Sequence, residues 1–193
     1  MLLQEGHPVM EVEVKLKVKS REEMRERILG LGAVPAAPRV FEDNFLLDTA
    51  SRDLQAAGCA VRVRIAGAKA VLTYKGKPVP EQAYKVREEI QTEIKDGQAA
   101  LDILRRLGFS VTFRYQKYRE KFRLGDLEIV LDETALGDFI ELEGKPADID
   151  EASRRLGYAP ADYITMSYLG LYLEHCRARG IRSDAMLLEG AGR

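Results

Sequence analysis

Charged and apolar residues alternate strictly near the start of the chain. Glu11, Glu13, Lys15, Lys17 and Lys19 fall on one side, and Val12, Val14, Leu16 and Val18 on the other. A period of two places successive side chains on opposite faces of a β-strand, so residues 10–19 are predicted to form a strand with one ionic and one apolar face. The same pattern returns over residues 60–65, 83–94, 112–124, 127–133 and 139–143, and with strands also read at 40–47 and 69–75 the chain has eight predicted strands in all. Turn signals such as Gly67 and Gly125-Asp126 join several of them as hairpins. Elsewhere the period lengthens to that of helices. Ser20 and Glu23 read as a capping box for a helix with Met24, Ile28 and Leu31 on its apolar side and Gly32 as its stop. Residues 51–57 read as a short helical turn ended by Gly58. Asp96 opens a helix that turns Leu101, Leu104 and Leu107 inward and ends at Gly108. Further helices are predicted near 149–156 and 166–179, the first nine residues read as an extension, and 180–193 as a frayed tail.

A single strand with one wet face is ordinary. The recurrence of ionisable groups on one face of strand after strand implies a closed barrel whose charged side lines a cavity. The expected fold is therefore α+β: an eight-stranded antiparallel β-barrel with flanking helices, spanning one domain over residues 10–179.

Composition narrows the function classes. At 193 residues with 46% hydrophobic content, the chain is long enough to bury a core. Charged residues make up 32% yet the formal net charge is −1, so opposite charges are segregated locally and the chain lacks the footprint of a nucleic-acid binder. Tyr115 and Tyr118 flank Lys117 close to Arg119, but tryptophan is absent, and base stacking is not the favoured reading. Cys59 and Cys176 form no CxxC, and His7 and His175 form no ligand pair, which argues against zinc. There is no run of eighteen apolar residues and no signal-peptide h-region, so a cytoplasmic protein without a membrane partner is expected.

The ionic faces carry the candidate chemistry. Their acids are Glu11, Glu13, Glu89, Asp132, Glu141 and Glu143; their bases are Lys15, Arg62, Arg64, Lys75, Lys85, Arg87, Lys117 and Arg119. Residues two apart on a strand lie within about 7 Å on the same side, so the Glu11/Glu13 and Glu141/Glu143 pairs repel unless a cation sits between them. Oxygen-only donors suit Mg2+ or Mn2+. The bases outnumber these acids, and arginine forks match phosphate oxygens. Together they describe a metal–polyphosphate site. Lys17, Lys19, Lys121 and Arg123 lie near strand ends and are expected to be solvated. The glycines at 30, 32, 190 and 192 read as helix-stop and tail residues, and no P-loop occurs.

Glu11-Val12-Glu13-Val14-Lys15 resembles the E-x-E-x-K signature of the CYTH superfamily, the triphosphate tunnel metalloenzymes. Further similar segments follow in order: Val61-Arg62-Val63-Arg64, Leu72 to Gly76, Lys85 to Glu89, Lys117-Tyr118-Arg119, Leu131-Asp132 and Leu136 to Glu143. The resemblance implies an eight-stranded tunnel. It implies that Glu11, Glu13, Glu141 and Glu143 hold divalent metal, with Asp132 and Glu89 assisting, and that the eight bases bind triphosphate. Glu11, Glu13, Lys15 and Arg119 form the implied catalytic set. The implied activity is metal-dependent hydrolysis of inorganic, nucleoside or thiamine triphosphate. The alternatives are a class IV adenylyl cyclase and a non-catalytic polyphosphate- or nucleotide-binding domain, as a monomer or homodimer. The helix carrying Ser167-Tyr168 resembles a plug that closes one tunnel mouth in some members; residues 166–176 contain no lysine, and Tyr168 is expected mainly to pack.

Overall fold

The computed structural model describes residues 8–80 and 82–190. In chain order the elements are β1 (Val9–Val18), α1 (Arg21–Gly30), β2 (Val34–Thr49), α2 (Asp53–Ala56), β3 (Ala60–Ala66), β4 (Lys69–Lys75) and β5 (Lys85–Ile94). They continue with α3 (Gly97–Arg106), β6 (Phe109–Leu124), β7 (Leu127–Thr134), β8 (Gly137–Glu143), α4 (Pro146–Arg155), α5 (Tyr168–Arg179) and β9 (Ala185–Met186). The first eight strands follow the order β2-β3-β4-β5-β1-β8-β7-β6, and pairing of β2 with β6 closes the sheet into a barrel. Every pairing among these eight is antiparallel.

Alternation decides which face goes where. Val14 and Leu16 of β1, Phe122 of β6, Ile129 of β7, and Ile140 and Leu142 of β8 point outward. They are covered by Met24 and Ile28 of α1 and by Ile149, Ala152 and Leu156 of α4. The main apolar core thus lies between barrel wall and helices, and the ionic residues are left to the inside. Each fully buried leucine or isoleucine there contributes roughly 1.5–3 kcal/mol. A smaller cluster seats Leu101 of α3 against Leu47 and Val63.

Some boundaries differ from the sequence expectation. β2 begins six residues before Val40, at Val34, in spite of Pro35 and Pro38. Register shifts between Pro35 and Ala37 and between Ala37 and Val40 absorb the prolines, which sheets accept at bulges. Leu107, expected inward, is 69% exposed. It is the C-cap of α3, so its side chain leaves the helix face that buries Leu101. The segment expected to fray after Gly180 instead returns: Ala185 and Met186 pair in parallel with Arg114 and Tyr115 of β6. They occupy the part of β6 that lies before its pairing with β7, and Met186 is fully buried. Residues 1–7 of the expected extension lie outside the described residues, while Val9 already belongs to β1.

Candidate active site

The eight bases Lys15, Arg62, Arg64, Lys75, Lys85, Arg87, Lys117 and Arg119 all line one cavity of about 750 Å3, together with Glu11, Glu13, Glu141 and Glu143. Antiparallel register brings them together. Glu11 stands opposite Arg87 and Glu13 opposite Lys85 across β1 and β5. Lys15 stands opposite Glu141, and Glu13 opposite Glu143, across β1 and β8. β3, β4 and β6 supply the remaining bases: Arg62 and Arg64, Lys75, and Lys117 and Arg119.

Buried charges are expensive unless paired, and these are paired in a chain around the wall. Lys75 Nζ lies 3.0 Å from Glu11 Oε1 and also contacts Glu89; Arg87 Nε donates to Glu11 Oε2 at 2.9 Å. Lys85 reaches Glu13 at 2.6 Å, and Lys15 reaches Glu141 at 2.9 Å. Arg119 donates to both oxygens of Asp132, at 2.7 and 2.6 Å, and contacts Glu141. Burial by itself would raise the carboxyls of Glu11 and Glu141, but the bases around them win and hold both below the ordinary range.

Two expected metal ligands, Asp132 and Glu89, are engaged by bases. Asp132 is fully buried on the inner face of β7 and accepts from Lys117 at 2.7 Å, from Arg119 and from Tyr168 Oη at 2.8 Å. Glu89 faces Lys75 across β4 and β5, and Lys75 and Arg62 hold its carboxyl at about 2 against the effect of burial. Both residues orient bases in this structure. The expected solvation holds for Lys17 and Lys19. Lys121 and Arg123 are about one-third exposed and share Glu128, at 2.8 and 3.5 Å.

Several interior residues escaped the sequence reading. Glu42, only 3% exposed, lies 3.3 Å from Arg64, and Arg64, Arg119 and Lys117 overcome its desolvation to hold it at about 2. Asn44 accepts from Arg64 Nε at 3.1 Å. The alternation Glu42-Asp43-Asn44 was the available signal, obscured by the acid between them. Tyr168, expected mainly to pack, donates to Asp132 while Lys15 and Lys117 sit 4.5 and 4.8 Å from its ring centre. It opens α5, whose N-terminal turn closes part of one barrel end with Phe113, Tyr115, Phe139 and Met186.

Arg62 and Glu143 are each short of a partner. The buried Nε of Arg62 has no hydrogen-bond partner, although its Nη atoms reach Thr73 at 3.2 Å and Tyr115 at 3.5 Å. Among the described residues, Glu143 forms no ion pair. Burial and the charges of Glu11, Glu128 and Glu13 push its carboxyl up to about 8. Among the described residues no group of three or more histidine, cysteine or acidic side chains is arranged as a metal cage. The donor set nonetheless fits a hard divalent cation: it is all oxygen, and Glu143 stands opposite Glu13 with no base of its own among the described residues. Among the described residues no helix is long and apolar enough to cross a membrane.

The CYTH domain family model matches residues 10–168. A protein of Methanocaldococcus jannaschii named "Putative adenylate cyclase" is 31% identical over 149 residues, which is 77% of this chain and 84% of that protein. A solved Vibrio parahaemolyticus structure described as a putative adenylate cyclase superposes with a TM-score of 0.74 at 20% identity, covering 88% of this chain and 99% of that one. A Hippeastrum protein described as a putative adenylyl cyclase with a dominant triphosphatase activity superposes with a TM-score of 0.64 at 19% identity, covering 90% and 97% of the two chains. Those two structures share the barrel.

Proposed function

Because the chain belongs to the CYTH domain family, we propose that it binds a triphosphate inside the barrel and hydrolyses its terminal phosphoryl group with the help of Mg2+ or Mn2+. The observation that carries this reading is the convergence of the eight bases with four glutamates on a single cavity. Against the eight bases stand seven acids, Glu11, Glu13, Glu42, Glu89, Asp132, Glu141 and Glu143, so the bases are in excess and a polyanion completes the charge balance. Arg62, with its unpartnered Nε, and Arg64 and Arg87 can fork onto phosphate oxygens; Lys15, Lys75, Lys85, Lys117 and Arg119 spread positive charge along the chain of phosphates.

Glu11, Glu13, Glu141 and Glu143 are the residues that would hold the metal. Bound there, Mg2+ or Mn2+ supplies Lewis-acid polarisation of phosphoryl oxygens and a more acidic water. The existing ion pairs make entry of substrate an exchange of partners: Lys85 turns from Glu13 to phosphate, and Lys15 from Glu141, as the carboxylates are released. Lys15 and Arg119 then face the charge that develops on the transferred group, in a site already stripped of bulk solvent. Asp132 keeps Lys117 and Arg119 aimed inward throughout.

The test is product analysis with Mg2+ or Mn2+. Orthophosphate released from inorganic triphosphate, ATP or thiamine triphosphate is the expected result. A second reading, formation of cyclic AMP and pyrophosphate from ATP, is favoured by the name of the Methanocaldococcus relative, and those products would replace the first reading with it. Tight binding of every triphosphate without turnover would leave a binding domain only.

A further inference from the structure

β1 parts early from one of its neighbours. Its ladder to β5 ends at the rung of Glu13 and Lys85, while its pairing with β8 runs on to Val18. From Lys15 onward one edge of β1 therefore has no strand beside it, and backbone groups left unpaired there would be costly to bury. The segment between α4 and α5 takes the place of a strand. Ile164 exchanges two backbone hydrogen bonds with Lys15, at 3.0 and 2.8 Å, and Tyr158 Oη donates to the carbonyl of Lys17 at 2.9 Å. The same segment then runs along the cavity at Thr165, Met166 and Ser167.

One carboxylate joins these pieces from outside the barrel. Asp150 of α4 accepts from Tyr84 Oη at 2.8 Å on each of its oxygens, and from Tyr163 Oη at 2.8 Å on Oδ1. The two rings lie 6.0 Å apart and pack against the main apolar core. Tyr84 directly precedes Lys85, and Tyr163 directly precedes Ile164. Neighbouring side chains of extended backbone point opposite ways. While Tyr84 reaches out to Asp150, Lys85 enters the cavity and meets Glu13. Asp150 is itself exposed, but its neighbour Ile149 is fully buried and holds α4 to the barrel wall.

We infer that Asp150 is a positioning residue for the triphosphate site: by gripping both hydroxyls it fixes the backbone from which Lys85 enters the cavity and the Ile164 bridge that steadies Lys15. The inference rests on the triphosphate reading above and adds to it a control that touches neither substrate nor metal. Lys85 turns to phosphate and Lys15 faces the transferred group, so the two arms of the clasp act on different kinetic constants. Loosening Tyr84 weakens binding, and loosening Tyr163 slows the chemical step.

The experiment measures kcat and KM for ATP and for inorganic triphosphate with Mn2+, and amide hydrogen exchange at Ile164. It compares the wild type with Asp150→Ala, Asp150→Asn, Tyr84→Phe and Tyr163→Phe. Alanine suits an exposed helical position, and phenylalanine keeps each ring in place, so the fold is retained. Asp150→Ala is expected to lose about tenfold in kcat/KM, since a small misplacement of positioned groups is enough for that. Exchange at Ile164 is expected to quicken in that variant by about tenfold. Asp150→Asn keeps a carbonyl oxygen with two lone pairs where both hydroxyls meet Oδ1, and is expected to restore most of both. Tyr84→Phe raises KM with kcat unchanged, and Tyr163→Phe lowers kcat. Wild-type kinetics in Asp150→Ala, equal losses in the alanine and asparagine variants, or tyrosine variants that move the same constant overturn the inference while the triphosphate reading stands. If the wild type consumes neither compound, the underlying reading falls and takes the inference with it.

Discussion

Glu13 on β1 stands directly opposite Glu143 on β8, two carboxylates facing one another across a barrel wall. Like charges in that position destabilise a sheet. Lys85 relieves Glu13 at 2.6 Å, whereas Glu143 is held near a pKa of about 8 by burial and by its acidic neighbours. A carboxyl raised from 4.5 to about 8 stabilises the fold fully below its unfolded value, and that contribution is lost as pH rises through its folded value. The metal-free protein is therefore expected to lose melting temperature between pH 4.5 and about 8, Glu143→Gln to flatten that slope, and Mn2+ to raise the alkaline end. Thermal melts over pH with and without Mn2+ check it; an unchanged slope in the variant refutes the assignment.

Glu11 accepts from both Lys75 and Arg87 and lines the cavity. Glu11→Gln or Glu141→Gln is expected to lower turnover by about a hundredfold or more, as loss of a preorganised electrostatic group does. Lys19→Ala, at an exposed strand end, leaves the rate unchanged. Wild-type turnover in the Glu11 variant would remove the metal role.

Tyr168 Oη donates to Asp132 from within the plugged end. Tyr168→Phe keeps the ring and its contacts with Lys15 and Lys117, but strips a hydrogen bond from a buried carboxylate, a loss of roughly 1.5–3 kcal/mol. Urea denaturation measures it. No change in midpoint would mean that Asp132 is fully served by Lys117 and Arg119.

Met186 is fully buried among Phe113, Tyr115, Phe139 and Tyr168, outside the limits expected for the folded domain. Met186→Ala is expected to destabilise by about 2–5 kcal/mol with the denaturant slope unchanged. A variant as stable as the wild type would show that β9 does not dock.

Affinity for any triphosphate is expected to fall as salt rises, since the cavity acts through charge and its mouth is open to screening. Titrations at two ionic strengths decide this, and a salt-independent constant would point to apolar recognition alone.

Strand identity and facing were legible in the chain because a period of two survives whatever the neighbours are. The alternation of Glu11, Glu13 and Lys15 with Val12, Val14 and Leu16 separates an ionic from an apolar face before any folding is considered. So the barrel and the residues of its inner wall, Arg62, Arg64, Lys117 and Arg119 among them, could be named in advance. Which acid pairs with which base could not, because partners such as Lys85 and Glu13 are 72 residues apart and meet only through sheet register. Register also set Asp132 against Arg119 and Glu89 against Lys75, gave Glu143 a carboxylate for a neighbour, and brought Tyr168 and Met186 from the C-terminal segment into the closed end. Local pattern sets the face of each side chain; the long-range closure of β2 on β6 sets its company, and with it the charge each group can carry.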